Sequence, residues 1–116
     1  MSAREPISKQ LRAIPEDEWP VRRSSTAMHV YIIQEGDGGP VKIGIARNAF
    51  WRITDLQCGN FRRLHIRAVF EVADRSTALE IESAAHAELT RHHSLGGEWF
   101  DCLPEIARRV ILGGQE

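Results

Sequence analysis

Five side chains carry most of the chemical potential of this chain: Tyr31, Lys42, Arg52, Glu82 and His86. Tyr31 and Lys42 lie in two alternating apolar runs, MHVYIIQ and VKIGIA, separated by the turn-rich EGDGGP. Arg52 follows Gly44 by eight residues, and Glu82 and His86 stand four apart in a later apolar-periodic stretch. Phosphodiester hydrolysis needs a group that orients or deprotonates water, positive charge on the developing phosphorane, and a metal for the leaving oxygen. Tyr31, aided by Lys42, suits the first need, as orienter or as base. The planar fork of Arg52 suits a phosphate better than a lysine would. Glu82 is a hard oxygen donor of the kind Mg²⁺ (or Mn²⁺) prefers. His86 shares a helix face with Glu82. It either hydrogen-bonds or donates a proton near a scissile phosphate, or holds Glu82 and the helix packing. The bland reading of the same residues is an exposed strand tyrosine, solvated basic residues and a decorated surface helix. Residue types alone leave both open.

Whether these groups can meet depends on the elements that carry them. MHVYIIQ and VKIGIA read as strands of an antiparallel hairpin. If Gln34 pairs with Val41, then Ile33 faces Lys42 and Tyr31 faces Gly44. Alternation then puts Val30, Ile32, Val41, Ile43 and Ile45 on one apolar face and Tyr31, Lys42 and Gly44 on the other. A glycine opposite Tyr31 leaves room beside the phenol for a ligand to approach. Asn48 can N-cap a helix to about Cys58, with Ala49, Ile53 and Leu56 on its buried side and Arg52 at the edge of that side. LHIRAVFEV reads as a third strand. Asp74 or Ser76 caps a long helix to about His92, with Ala78, Ile81, Ala85 and Leu89 as its buried stripe. SLGGEWFDC breaks that helix, and LPEIARRVIL forms a last one, with Pro104 near its first turn. The order β-β-α-β-α-α predicts an α+β domain, a three-stranded antiparallel sheet flanked by helices, over residues 28–116. Residues 1–27 read as an N-terminal arm with a short amphipathic helix, its stripe at Ile7, Leu11 and Ile14 and its end at Pro15.

The bulk composition is that of one soluble globular domain. The 116 residues carry a formal charge of −1, which argues against an indiscriminately basic nucleic-acid binder. The distribution is less even. Between Lys42 and Phe70 stand six basic residues and one acid, and between Glu71 and Leu89 five acids and one base. A basic flank beside an acidic one suits a phosphate backbone next to a metal site, and suits equally two solvated faces. Arg47, Arg62 and Arg63 are the candidate nucleic-acid contacts, with Arg67 beside them. No apolar run approaches the roughly 20 residues of a membrane span. The N-terminus lacks the apolar core of a secretory signal. Cys58 and Cys102 give no disulfide framework, so free thiols and a cytoplasmic location are expected. Trp99 and Phe100 are expected under the sheet. Trp51 is expected to pack its helix, with base stacking as the alternative.

Taken together, residues 29–82 resemble the GIY-YIG nuclease superfamily. HVY at 29–31 stands where the GIY signature is expected, and KIG at 42–44 stands where YIG is expected. Arg52 and Glu82 fall at the places of that superfamily's arginine and metal-binding glutamate. RITDLQ, EIESAAH and GGEWF resemble a compact bacterial and phage branch with a KIGI-type second signature, over about residues 28–103. The resemblance implies a Mg²⁺-dependent DNA endonuclease with Tyr31, Arg52 and Glu82 in the roles given above. His29 replaces the first glycine and Lys42 the second tyrosine. The polar Asn that often closes such sites has no clear counterpart, Ser94, His92 and His93 being the nearest. A lone domain of this size offers few contacts for sequence specificity, so cleavage would rely on a homodimer or on a structured or single-stranded substrate. The rival expectation is the same fold kept as a nucleic-acid-binding or partner-binding module with cleavage lost.

Overall fold

The computed structural model describes residues 11–20, 27–93 and 98–113. The strands are β1 (Leu11–Ala13), β2 (Met28–Glu35), β3 (Val41–Ala46), β4 (Leu64–Val72) and β5 (Trp99–Phe100). The helices are α1 (Ala49–Cys58), α2 (Arg75–His93) and α3 (Pro104–Ile111). One antiparallel sheet runs in the order β1-β4-β2-β3-β5. The α+β class therefore holds, but the sheet has five strands where three were expected.

Both additional strands are short and sit at the edges. Leu11–Ala13 pairs with Phe70–Val72 instead of carrying the middle of a helical stripe, while Ile7 lies outside the described residues. A helix of two turns is marginal by itself, because nucleation costs more than so few hydrogen bonds return. The outer edge of β4 offers backbone partners instead. Ile14 continues that contact through its N–H to the Val69 carbonyl at 2.9 Å and is 4% exposed. At the opposite edge, Trp99 and Phe100 pair with Lys42 and Val41.

The central hairpin has the expected register, with Tyr31 opposite Gly44, Ile33 opposite Lys42 and Gln34 opposite Val41. Its turn is built by Gly36 and Gly38, at φ 63° and 103°, where a β-carbon would be strained. Period-2 alternation splits the side chains into two layers. On one side Val30, Ile32, Val41, Ile43, Ala68 and Phe70 meet α2 and α3. The expected stripe of α2, Ala78, Ile81, Ala85 and Leu89, is buried there. On the other side Tyr31, Ile33, Leu64 and Val69 pack with Ile14 and Ala49 beneath α1. Ile53, Leu56 and Trp19 are partly buried against that layer. The two aromatic residues of β5 divide between the faces, Phe100 joining the first layer and Trp99 the second. Among the described residues, no helix is long and apolar enough to cross a membrane.

Candidate active site

The site begins at the N-terminus of α1. Asn48 caps the helix through Oδ1, which accepts from the N–H groups of Phe50 (2.9 Å) and Trp51 (3.2 Å). The Ala49 N–H donates to Nδ1 of the buried His29 at 3.0 Å. His29 thus ties the start of α1 to β2, which fixes where Arg52 emerges one turn later. The first amide donors of the helix are consumed by this arrangement. Positive charge at this end must therefore come from side chains rather than from vacant amides.

Arg52 is exposed on α1, and its guanidinium acts on the Tyr31 hydroxyl through hydrogen bonding and charge. Arginine has only donors, so the phenol oxygen is the acceptor and its own proton remains for a further partner. The Tyr31 ring is 2% exposed and lies across Gly44. The space left by the missing side chain of Gly44 is thus filled by Tyr31 itself and is not an open approach for a ligand. Burial pushes the Tyr31 phenol above its usual 10.0; the Arg52 hydrogen bond and charge oppose this, and the charges of Glu98 and Glu82 add to it.

Tyr31 is the sole tyrosine of the chain, so its ionisation can be read directly. In the folded protein the phenolate absorbance is expected only above pH 10.0, the ordinary value. The neutral phenol is the native form, so this contribution to stability is complete below that pH and is lost as pH rises through the folded-state value. Arg52→Ala should move the titration further up, because it removes the two influences that favour phenolate. Ionisation below the ordinary value would contradict this environment.

Lys42 is 7% exposed, unusually buried for an ammonium, and Nζ donates to Glu98 Oε2 at 2.7 Å. A buried cation needs such a partner, since an unpaired one would bear the full desolvation cost. The hydrogen bond from Lys42 holds the Glu98 carboxyl below the usual carboxylate range, with the charges of Lys42, His86 and Arg52 reinforcing it and desolvation opposing it. Glu98 was not among the sequence candidates. Its signal lay in the GEWF stretch and in the requirement that Lys42, on an inward-facing position, have an anion near it.

On the other side of the sheet, α2 packs across β3 and β2. His86 Nε2 lies 2.8 Å from the Ile43 carbonyl. A carbonyl only accepts, so Nε2 carries the proton and donates it there. The ring also stacks at a tilt on Phe100, with centroids 5.3 Å apart. His86 therefore clamps α2 to β3. Glu82, half-buried one turn earlier on the same face, is set by that clamp, and its charge reaches the Tyr31 phenol.

The Tyr31 phenol is thus acted on by Arg52, Glu98 and Glu82, and Lys42 is linked to the same group through Glu98. The basic candidates divide. Arg47 lines a cleft of about 310 Å³ with Trp51, Arg52 and Asp55. Arg63 lines another of about 450 Å³ at the far end of α1. Arg62 lies 3.7 Å from Glu35, and Arg67 donates to Gln34 and Asp37 from a bulge in β4, so Arg67 is occupied within the fold. Trp51 does not pack its helix: it is 77% exposed. Ser94 and the side chains of His92 and His93 lie outside the described residues. Cys58 and Cys102 are free thiols. Among the described residues, no three His, Cys, Asp or Glu side chains cluster as a ready-made metal cage.

Comparison with known proteins adds one finding. The profile of the T5orf172 domain matches residues 28–112, from the first residue of β2 to just past α3. No curated protein and no solved structure matches the chain.

Proposed function

The chain belongs to the T5orf172 domain family, and from that premise we propose that it is a metal-dependent endonuclease of GIY-YIG type that hydrolyses phosphodiester bonds in DNA. The family is found in endonuclease-like proteins of phages and bacteria. What supports the reading is that Arg52, Glu82 and Glu98 all act on the Tyr31 phenol, with Lys42 bonded to Glu98 at 2.7 Å and His86 holding the helix of Glu82 to Ile43 at 2.8 Å.

Each residue then has a task set by its surroundings. Arg52 neutralises the phosphoryl oxygens and holds the Tyr31 hydroxyl. Tyr31 is neutral at ordinary pH, so it orients water or a phosphate oxygen through its O–H and does not serve as a phenolate base. Lys42 supplies a fixed positive charge, positioned by Glu98. His86 is a positioning residue that sets Glu82 through the Ile43 carbonyl. Glu82 is the ligand for Mg²⁺ or Mn²⁺. The donor set fits, because Mg²⁺ is usually held by one or two carboxylates together with waters and substrate phosphates, not by a full protein cage. Such an ion, when bound, supplies Lewis-acid stabilisation of the leaving oxygen. Arg47, Arg62 and Arg63 contact the backbone of the bound strand.

The test is incubation of the full chain with DNA in Mg²⁺, in Mn²⁺ and in chelator. Cleavage is expected with either ion and none in chelator. Cleavage that persists in chelator would end the metal-dependent reading. The second reading, a DNA-binding module without cleavage, is favoured by one observation: Lys42, standing where the resemblance expects a tyrosine, is held in an ion pair. Binding in all three conditions with no cleavage in any would support it.

A further inference from the structure

Two large aromatic side chains at opposite ends of α1 are held out in water. Trp51 is 77% exposed and Phe61 97% exposed. Isolated exposed apolar residues are common on protein surfaces. Here the loop that carries Phe61 is unusually well braced. Gln57 Nε2 donates to the carbonyls of Asn60 (3.0 Å) and Arg62 (2.8 Å), and its Oε1 accepts from the Leu64 N–H at 2.8 Å. Asn60 donates to Glu35 Oε2 at 3.0 Å and accepts from the Arg62 N–H at 3.0 Å. The Arg63 carbonyl accepts from the Gly36 N–H at 2.7 Å. A loop this constrained fixes the backbone that carries Phe61, so little backbone entropy remains to be lost on contact.

The surroundings of both rings are cationic. The Arg62 guanidinium stands 5.9 Å from the Phe61 ring centroid, and Arg63 follows in sequence. Trp51 lines a cleft with Arg47 and Arg52, the latter already bonded to Tyr31. Two acids stand among them, Asp55 in the Trp51 cleft and Glu35, which lies 3.7 Å from Arg62, against the four arginines. Flat aromatic faces interleaved with guanidinium groups suit a polyanion that carries planar bases. The bases of an intact duplex are stacked on each other and present only their edges, so a stacking platform requires unpaired ones.

We propose that the exposed side of α1 and its C-terminal loop form a base-stacking surface, with Trp51 and Phe61 as platforms and Arg47, Arg62 and Arg63 on the phosphates. The ligand is DNA with unpaired bases: single strands, flaps or locally opened duplex. This deepens the endonuclease reading and rests on it for the identity of the polymer. It leads a single strand past Trp51 toward Arg52 and Tyr31.

The experiment measures binding of the full chain to a fluorescein-labelled oligothymidylate and to a blunt duplex of equal length, in chelator so that neither is cut. Trp51→Ala and Phe61→Ala are each expected to weaken oligothymidylate binding by about 10-fold, within the range of single base–aromatic stacks, and duplex binding by less than about two-fold. Both rings are exposed, so circular dichroism should show unchanged folding. Tryptophan fluorescence should be quenched by oligothymidylate in the wild type and much less in Trp51→Phe. Equal losses on both DNAs, no loss on either, or no binding of oligothymidylate by the wild type would overturn the proposal. The last two outcomes would also direct attention to a protein partner for this face. Cleavage in Mg²⁺ is scored separately on the same proteins. Selective single-strand loss with no cleavage leaves the stacking surface standing and the nuclease reading overturned, and cleavage with unaffected variants does the reverse.

Discussion

Arg52→Ala is expected to lower the single-turnover rate of Mg²⁺-dependent DNA cleavage by about 10²–10³-fold, the usual loss when one preorganised donor to a developing anion is removed. Two effects combine in that number. The phosphoryl oxygens lose their bidentate cation, and Tyr31 loses the bond that holds its hydroxyl in place. Stability should change little, within about 0.5 kcal/mol, because Arg52 is on the exposed side of α1. Arg52→Lys should recover only part of the rate, since an ammonium cannot hold a phosphate and the Tyr31 oxygen with one planar fork. A rate within a few-fold of wild type for the alanine variant would remove Arg52 from the chemistry. Because the proposed DNA contacts include several other cations, the loss should appear in the rate at saturating protein more than in affinity.

The second large effect is structural. Gly44→Ala would place a β-carbon 2.5 Å from Cζ of Tyr31 and closer still to the hydroxyl. Tyr31 is 2% exposed and belongs to the buried layer of Ile33, Ala49 and Val69, so a shift of its ring disturbs that layer. Overpacking of this kind typically costs about 1–3 kcal/mol, which a shift of the denaturant midpoint would report. Tyr31→Phe should not relieve it, because Cζ remains. Tyr31→Ala should, so the double variant is expected to be more stable than the sum of the single losses implies. Cleavage should fall with Gly44→Ala even under conditions where the protein stays folded, as the phenol is driven away from Arg52. A stability within about 0.5 kcal/mol of wild type would mean that the ring does not lie where the geometry puts it.

These two positions show which parts of the molecule can be read locally. Alternation put Val30, Ile32, Val41, Ile43 and Ile45 on one face, and the pairing of Gln34 with Val41 across the turn then set Tyr31 opposite Gly44. The stripe of α2 and the Asn48 cap followed in the same way from helical spacing and from one side-chain oxygen. The edge strands did not, because two or three residues are too few to display a period, and their identity depends on which sheet edge the fold leaves vacant. Nor did the placement of Trp51: Ile53 and Leu56 partly cover the sheet, and Trp51 is turned outward on the same helix.

The division at the site has the same origin. Residue type and spacing were enough to nominate Tyr31, Lys42, Arg52 and Glu82, because strand and helix periods are set by backbone sterics within a few residues. What the tertiary structure decided is their state. Tyr31 is buried and its phenol made harder to ionise because α1 and the chain around Ile14 close over that face of the sheet. Lys42 meets Glu98 across 56 residues, and His86 reaches the Ile43 carbonyl across 43, so neither pairing has a local signature. Contacts of that span exist only once the whole sheet and both helical layers have assembled, and it is those contacts that set charge, burial and aim.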